Sequence, residues 1–191
     1  RKAKAGQFII LRTRPDGERI PLTIAGYDAE KGTVDIIFQI VGGTTMELNA
    51  LNEGEYLPDF VGPLGKPTEL EGLKKVAVVG GGVGNAIALP IAQALHKAGV
   101  EVHSFIGFRC KDLVILEDDF KACSDKVFMM TDDGSYGRKG VVTVPLEEAI
   151  VAGEKYDEVI AIGPVIMMKF VCLTTKKYNV KTIVSMNPIM I

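Results

Sequence analysis

The chain has 191 residues, 47% hydrophobic and 24% charged, with 22 basic against 24 acidic side chains and a formal net charge of −2. That length suits one large domain or two small ones. The apolar content excludes a disordered chain, and the near-balanced charge removes the basic surface that a nucleic-acid backbone or an anionic membrane would need. Cys110, Cys123 and Cys172 are scattered and form no CxxC clip, which predicts a reducing, cytoplasmic setting and no structural zinc. The sequence starts at Arg1 rather than Met, with no signal-peptide pattern behind it, so a trimmed piece of a longer protein is expected.

In chain order, the first seventy or so residues read as strands. Gln7 to Thr13 is a short apolar run, Pro15-Asp16-Gly17 a turn, and Arg19 to Ala25 extended again. Val34, Ile36, Phe38 and Ile40 alternate along a further strand. Pro58, Gly62, Pro63, Gly65 and Pro67 then break regular structure, and a domain boundary is expected near Gly72. Beyond it, five short apolar runs alternate with helical patterns: Val76 to Val79, Glu101 to Ile106, Val127 to Met130, Val159 to Ile162 and Thr182 to Ser185. Such alternation predicts a parallel sheet with right-handed crossovers. The first helix should end near Gly99, with His96 and Lys97 in its last turn, and Pro145 suits the first turn of a later one. Val76 to Leu95 carries no charge over twenty residues. Its glycines, Asn85, Pro90 and Gln93 favour a buried strand, turn and helix over a membrane span.

The sharpest motif is Val79-Gly80-Gly81-Gly82-Val83-Gly84-Asn85-Ala86, a strand running into a glycine-rich turn and a helix. Without Cβ atoms the backbone can approach a pyrophosphate with its N–H groups, although a tight turn packing helix on sheet has the same composition. It fails the GxGxxG fingerprint at Asn85, and the second strand ends at Arg109 rather than at an acid. Gly62 to Thr68 resembles a P-loop only superficially, because its spacing fails, and an NTPase is rejected. Gly42-Gly43-Thr44-Thr45-Met46-Glu47 opens a short helix. Thr44 and Glu47 are spaced as a capping box, and the same turn offers N–H groups to a phosphate. Arg19-Ile20-Pro21-Leu22-Thr23, taken alone, reads as an edge strand.

Together these motifs resemble the ferredoxin-NADP reductase superfamily over nearly the whole chain. They are similar in particular to its small flavoprotein subunits in NADH-dependent ferredoxin:NADP oxidoreductases and in type B dihydroorotate dehydrogenase. Pro21-Leu22-Thr23 is similar to the family's flavin segment, with Arg19 one residue from the usual arginine position, and Gly42 to Thr45 to its pyrophosphate turn. Gly80 to Ala86 resembles the dinucleotide turn, Ile106 to Arg109 the next strand, and Thr131 to Gly137 the cofactor loop. Ile162-Gly163-Pro164-Val165-Ile166-Met167 resembles the segment beside the nicotinamide, with Ile162 where the family has cysteine.

The resemblance implies a β plus α/β architecture. An antiparallel FAD-binding β-barrel, N-terminally incomplete, is expected over residues 1–71. A Rossmann-like five-stranded parallel sheet with flanking helices, binding NAD(H), is expected over residues 72–191. It implies hydride transfer between NAD(H) and FAD, and single electrons passed to an iron–sulfur centre, with a larger catalytic or flavoprotein subunit and a ferredoxin-like acceptor as partners. In related subunits a [2Fe-2S] cysteine cluster follows a segment like Met186 to Met190, and this sequence holds no such ligands. Implied cofactor contacts are Arg19, Pro21, Leu22, Thr23, Phe38, Gln39, Ile40, Gly43, Thr44 and Thr45 for FAD. For the dinucleotide they are Gly81, Gly82, Val83, Gly84, Asn85, Ala86, Arg109, Asp132, Asp133, Gly163, Pro164 and Met167. No side-chain acid or base is required and no metal ligand is expected. Asp132 and Asp133 favour a free ribose hydroxyl, hence NADH, whereas Arg109 and Arg138 could meet a 2′-phosphate. A nucleotide-binding scaffold without catalysis is the competing reading.

Overall fold

A computed structural model describes residues 3–186. Asn187 to Ile191, most of the Met186 to Met190 motif, lie outside the described residues. Cα proximity divides the chain into Arg1–Glu69 and Leu70–Ile191.

In the first unit β1 (Phe8–Arg12), β2 (Ile20–Asp28), β3 (Thr33–Ile36) and β4 (Asp59–Leu64) form an antiparallel sheet ordered β3-β2-β1-β4. Helix α1 (Gly43–Asn49) lies between β3 and β4 in sequence. Period-2 alternation buries Ile9 and Leu11 of β1 with Ile24 of β2, and Val34, Ile36 and Leu48 pack against them. Two expectations need correction. The third strand stops at Ile36 rather than continuing to Ile40, because a register shift between Ile24 and Gly26 bends β2 away. Phe38, Gln39 and Ile40 therefore leave the sheet. The proline- and glycine-rich stretch is not a break but contains β4. As an edge strand β4 tolerates the N–H missing from Pro63, and a Cβ on Gly62 would lie 2.6 Å from Ile9 Cγ2.

The second unit is an all-parallel sheet ordered β10-β9-β5-β6-β7-β8. Its strands are β5 (Lys75–Gly81), β6 (Glu101–Phe108), β7 (Lys126–Thr131), β8 (Arg138–Lys139), β9 (Glu158–Ile162) and β10 (Thr182–Val184). The helices are α2 (Gly84–Lys97), α3 (Glu117–Ala122), α4 (Thr143–Val151) and α5 (Val165–Lys177). The five expected strands are present, and the two-residue β8, too short to show a period, makes a sixth. Val76 to Val79 are fully buried, as a strand covered by helices on both faces requires. The uncharged Val76 to Leu95 stretch divides into β5, a turn and α2, and no helix among the described residues is long and apolar enough to cross a membrane. Phe105 stacks on Phe128 with ring centroids 4.6 Å apart. Of the two only Phe105 is fully buried, and a fully buried side chain of this size contributes roughly 1.5–3 kcal/mol. The order reverses between β5 and β9, which makes the carboxyl end of those strands the expected ligand crevice.

At the opposite, amino end, Lys75 pairs with Glu101 and Glu154, and Lys126 with Glu154. Buried His103 lies 2.7 Å from the Tyr156 hydroxyl through Nδ1 and 3.1 Å from Glu101 through Nε2. Glu101, His103 and Glu154 bring potential metal-ligand atoms within 4.8 Å of one another. Both carboxylates are already bonded to the Lys75 ammonium, so the cluster is a charge network joining three strands.

Candidate functional site

Four glycines of the β5–α2 turn do four different things. A Cβ on Gly80 would lie 2.0 Å from Asn85 Oδ1, and one on Gly81 would lie 2.4 Å from Met167 Sδ. One on Gly84 would lie 2.6 Å from the Ile162 carbonyl and 2.7 Å from Gly163 Cα. Gly82 differs: its Cβ position is open and its φ is +56°, a left-handed conformation that glycine adopts without steric cost. Only at Gly82 does the missing side chain leave space for a ligand. At Gly80, Gly81 and Gly84 it admits the protein itself.

Gly81 and Gly82 border a cleft of about 520 Å³ at the carboxyl end of the sheet. Residues after β6 (Arg109) and β7 (Asp132) share it, with Val141 to Thr143 at the start of α4 and Pro164, Ile166 and Met167 at the start of α5. The amino ends of α4 and α5 thus meet the turn that leads into α2 at one crevice, and none of the three helices has an acidic residue in its first turn. Helix α3 carries Glu117, Asp118 and Asp119 there. A helix amino end holds roughly half a positive charge, which an acid in the first turn would offset. The cleft keeps that field available to an anion, while Val141, Ile166 and Phe170 make its walls apolar.

The β7–β8 loop separates the two aspartates. The Asp133 carboxylate accepts hydrogen bonds from Ser135 N–H (2.9 Å) and Oγ (2.7 Å), and these hold its pKa below the ordinary value. Asp132 borders the cleft and its N–H donates to the Phe108 carbonyl at 3.0 Å. Arg138, which could have met a 2′-phosphate, pairs with Glu148 through two bonds of 2.5 and 2.7 Å. Arg109 remains exposed beside Asp132 on the cleft wall.

In the first unit, β3 runs out at the Ile24–Ile36 pair, so Pro21, Leu22 and Thr23 pair with β1 alone. Pro21 lies where its missing N–H interrupts no ladder on the β3 side. The half-buried Thr23 hydroxyl makes no hydrogen bond to a described residue. Arg19 pairs with Asp59 at 3.2 Å. The predicted capping box of Thr44 and Glu47 is corrected: Gly42 is the cap residue. Thr45 Oγ1 accepts from the Val41 and Gly42 N–H groups, each at 3.0 Å. Glu47 instead accepts from Thr13, which draws it away from the cap. Cβ positions on Gly42 and Gly43 meet nothing within 4 Å, so this turn also leaves room for a close backbone approach.

Of the residues expected at the dinucleotide, Gly81, Gly82, Arg109, Asp132, Pro164 and Met167 border the cleft. Val83, Gly84, Asn85, Ala86, Asp133 and Gly163 do not. Sequence reasoning missed the wall formed by Gly140 to Thr143 and Phe170, and it held Phe108 and Ile166 within its motif segments without assigning them a contact. One available signal was the i, i+4 apolar pair Ile166 and Phe170, which with Val165 and Leu173 is exposed on α5. Another was the helix start marked by Pro145.

No family model matches the chain. It is 48% identical to an uncharacterized protein of the adh 3′ region of Clostridium beijerinckii, matching 100% of this chain and 67% of that protein. It is 46% identical to the dihydroorotate dehydrogenase B (NAD(+)) electron transfer subunit homolog of Thermotoga maritima, again over 100% of this chain and 67% of the relative. The chain belongs to this electron-transfer-subunit family, within the ferredoxin-NADP reductase superfamily. A solved structure of an NADH-dependent reduced ferredoxin-NADP oxidoreductase superimposes with a TM-score of 0.90 at 44% identity, covering 100% of this chain and 68% of that one. The cytochrome b5 reductase domain of Ulva prolifera nitrate reductase shares the fold, with a TM-score of 0.76 at 17% identity, over 95% of this chain and 85% of that one. Membership in the family makes the chain an electron-transfer component of an oxidoreductase.

Proposed function

We propose that the chain binds NAD(H) in the cleft of its second unit and FAD on its first. On this reading it transfers hydride between them and delivers single electrons to an iron–sulfur centre or a ferredoxin-like acceptor, working beside a larger subunit. The observation that carries it is the meeting of the α4 and α5 amino ends with the open Gly82 turn that leads into α2, with no first-turn acid on any of the three helices. That arrangement suits a pyrophosphate, and the apolar wall from Val141 to Phe170 suits an uncharged ring from which water must be excluded. Asp132, which borders the cleft, would accept hydrogen bonds from a ribose. Gly42 and Gly43 would admit the FAD pyrophosphate, and the unpartnered Thr23 hydroxyl would donate at the flavin edge. The chemistry FAD supplies when bound is the conversion of a hydride into single electrons, so the protein's task is binding and orientation.

The test is an anaerobic NADH titration of the FAD-reconstituted protein, followed by its visible absorbance. Bleaching of the flavin bands, with recovery on adding a one-electron acceptor, is expected. A protein that binds NADH but retains no flavin would overturn the electron-transfer reading and leave a nucleotide-binding scaffold.

A further inference from the structure

Asn85 interrupts the glycine fingerprint, yet it is fully buried and a glycine is set aside to admit it. Its Nδ2 group donates to the Gly82 carbonyl at 3.0 Å and to the Gly107 carbonyl at 3.3 Å. Its backbone N–H also reaches the Gly82 carbonyl, at 3.2 Å, and the Gly82 N–H reaches the Gly107 carbonyl at 2.9 Å. Four hydrogen bonds thereby converge on two carbonyl oxygens belonging to residues that border the cleft. Asn85 Oδ1 is buried without a hydrogen-bond partner among the described residues, an arrangement that costs stability. A residue serving stability alone would gain by losing that oxygen.

We propose that Asn85 is a positioning residue for the dinucleotide. Its amide holds the negative ends of the Gly82 and Gly107 peptides inside the protein, so that an anion in the cleft meets N–H groups and no carbonyl oxygen. The Val83 and Gly84 N–H groups lie outside the cleft lining but directly follow Gly82, and they make no backbone hydrogen bond to a described residue, which leaves them as the donors this turn can offer to an anion at its edge. Asn85 and Gly80 form one device, because any side chain at Gly80 takes the space of the Asn85 amide. The inference rests on the cleft being the dinucleotide site.

The test uses the full chain with Asn85→Leu, which keeps the branched shape while removing both the donor and the orphan oxygen. NADH and ADP-ribose, which share the pyrophosphate, are titrated by calorimetry, and Tm is measured on the same samples. The expected result is a Kd raised at least tenfold for both ligands with Tm unchanged or higher. Gly80→Ala should weaken binding comparably, and Gly80→Ala with Asn85→Ala should be no worse than Asn85→Ala alone. That non-additivity remains readable if Asn85→Leu fails to fold. Wild-type affinity in a folded Asn85→Leu protein, or additive losses in the double variant, would overturn the positioning role while leaving the cleft as the dinucleotide site. Failure of the wild type to bind either ligand would overturn the site and the positioning role together.

Discussion

Replacing Gly82 and Gly84 separately by alanine should split two properties that the turn's composition makes look like one. At Gly82 the new Cβ meets nothing within 4 Å, so the folded protein loses only the conformational freedom of glycine at φ +56°, roughly 1–2 kcal/mol. For a chain of this size that is a Tm decrease of about 2–8 °C. On the proposed function the same methyl group would project where a pyrophosphate approaches. Loss of two charge-assisted hydrogen bonds at about 1.5 kcal/mol each would raise the NADH Kd roughly a hundredfold. At Gly84 the added Cβ lies 2.6 Å from the Ile162 carbonyl and 2.7 Å from Gly163 Cα, both backbone, so β9 and the start of α5 must shift. Gly84→Ala should therefore lose more stability than Gly82→Ala, with weaker binding following from displacement of Gly163 and Pro164 between β9 and α5. Thermal melts and NADH titrations of both variants, each with FAD content measured, make the comparison. Unchanged NADH affinity in Gly82→Ala, or a Gly84→Ala protein as stable as wild type, would refute the division of labour among these glycines.

Thr23→Val removes a hydroxyl that no described residue uses; flavin reduction by NADH should slow while Tm stays near wild type, and a large stability loss with unaltered kinetics would place Thr23 in the sheet core instead. Asp132→Ser should raise the NADPH/NADH preference ratio measured by kcat/KM, whereas Asp133→Ser should act through the Ser135 turn and leave that ratio nearly unchanged; the reverse pattern would refute the assignment of Asp132 to the cleft. Hydrogen bonds from Lys126 and Lys75 lower the Glu154 pKa to about 2, so its contribution to stability is complete above the ordinary carboxylate range and is lost as pH falls toward 2. Glu154→Gln should flatten the acid limb of a Tm-against-pH curve. Burial and the nearby Lys75 charge lower the pKa of His103, so stability should also decline as pH falls through its ordinary value near 6.5. His103→Gln, which keeps a polar group beside Tyr156 and Glu101, should remove that part of the decline, and an unchanged slope would exclude His103 as its source.

The sequence by itself determined the elements whose side chains report burial locally. Period-2 and continuous apolar runs marked β1, β5, β6, β7, β9 and β10, and the strand–glycine–helix order marked the crevice end of the parallel sheet. Those signals are legible because a covered strand or helix face must be apolar at a fixed spacing. Only the tertiary structure decided what depends on residues distant in the chain. Edge placement let β4 run through Gly62 and Pro63, and the bend in β2 ended β3 at Ile36, leaving one side of Pro21 to Thr23 free. Asp133 was withdrawn into its own turn, while Asp132 was left at the cleft. Gly80, Gly81, Gly82 and Gly84 share one letter in the sequence. Their roles differ because the atoms each missing Cβ makes room for belong to Asn85, to Met167, to open space and to the Ile162–Gly163 backbone respectively.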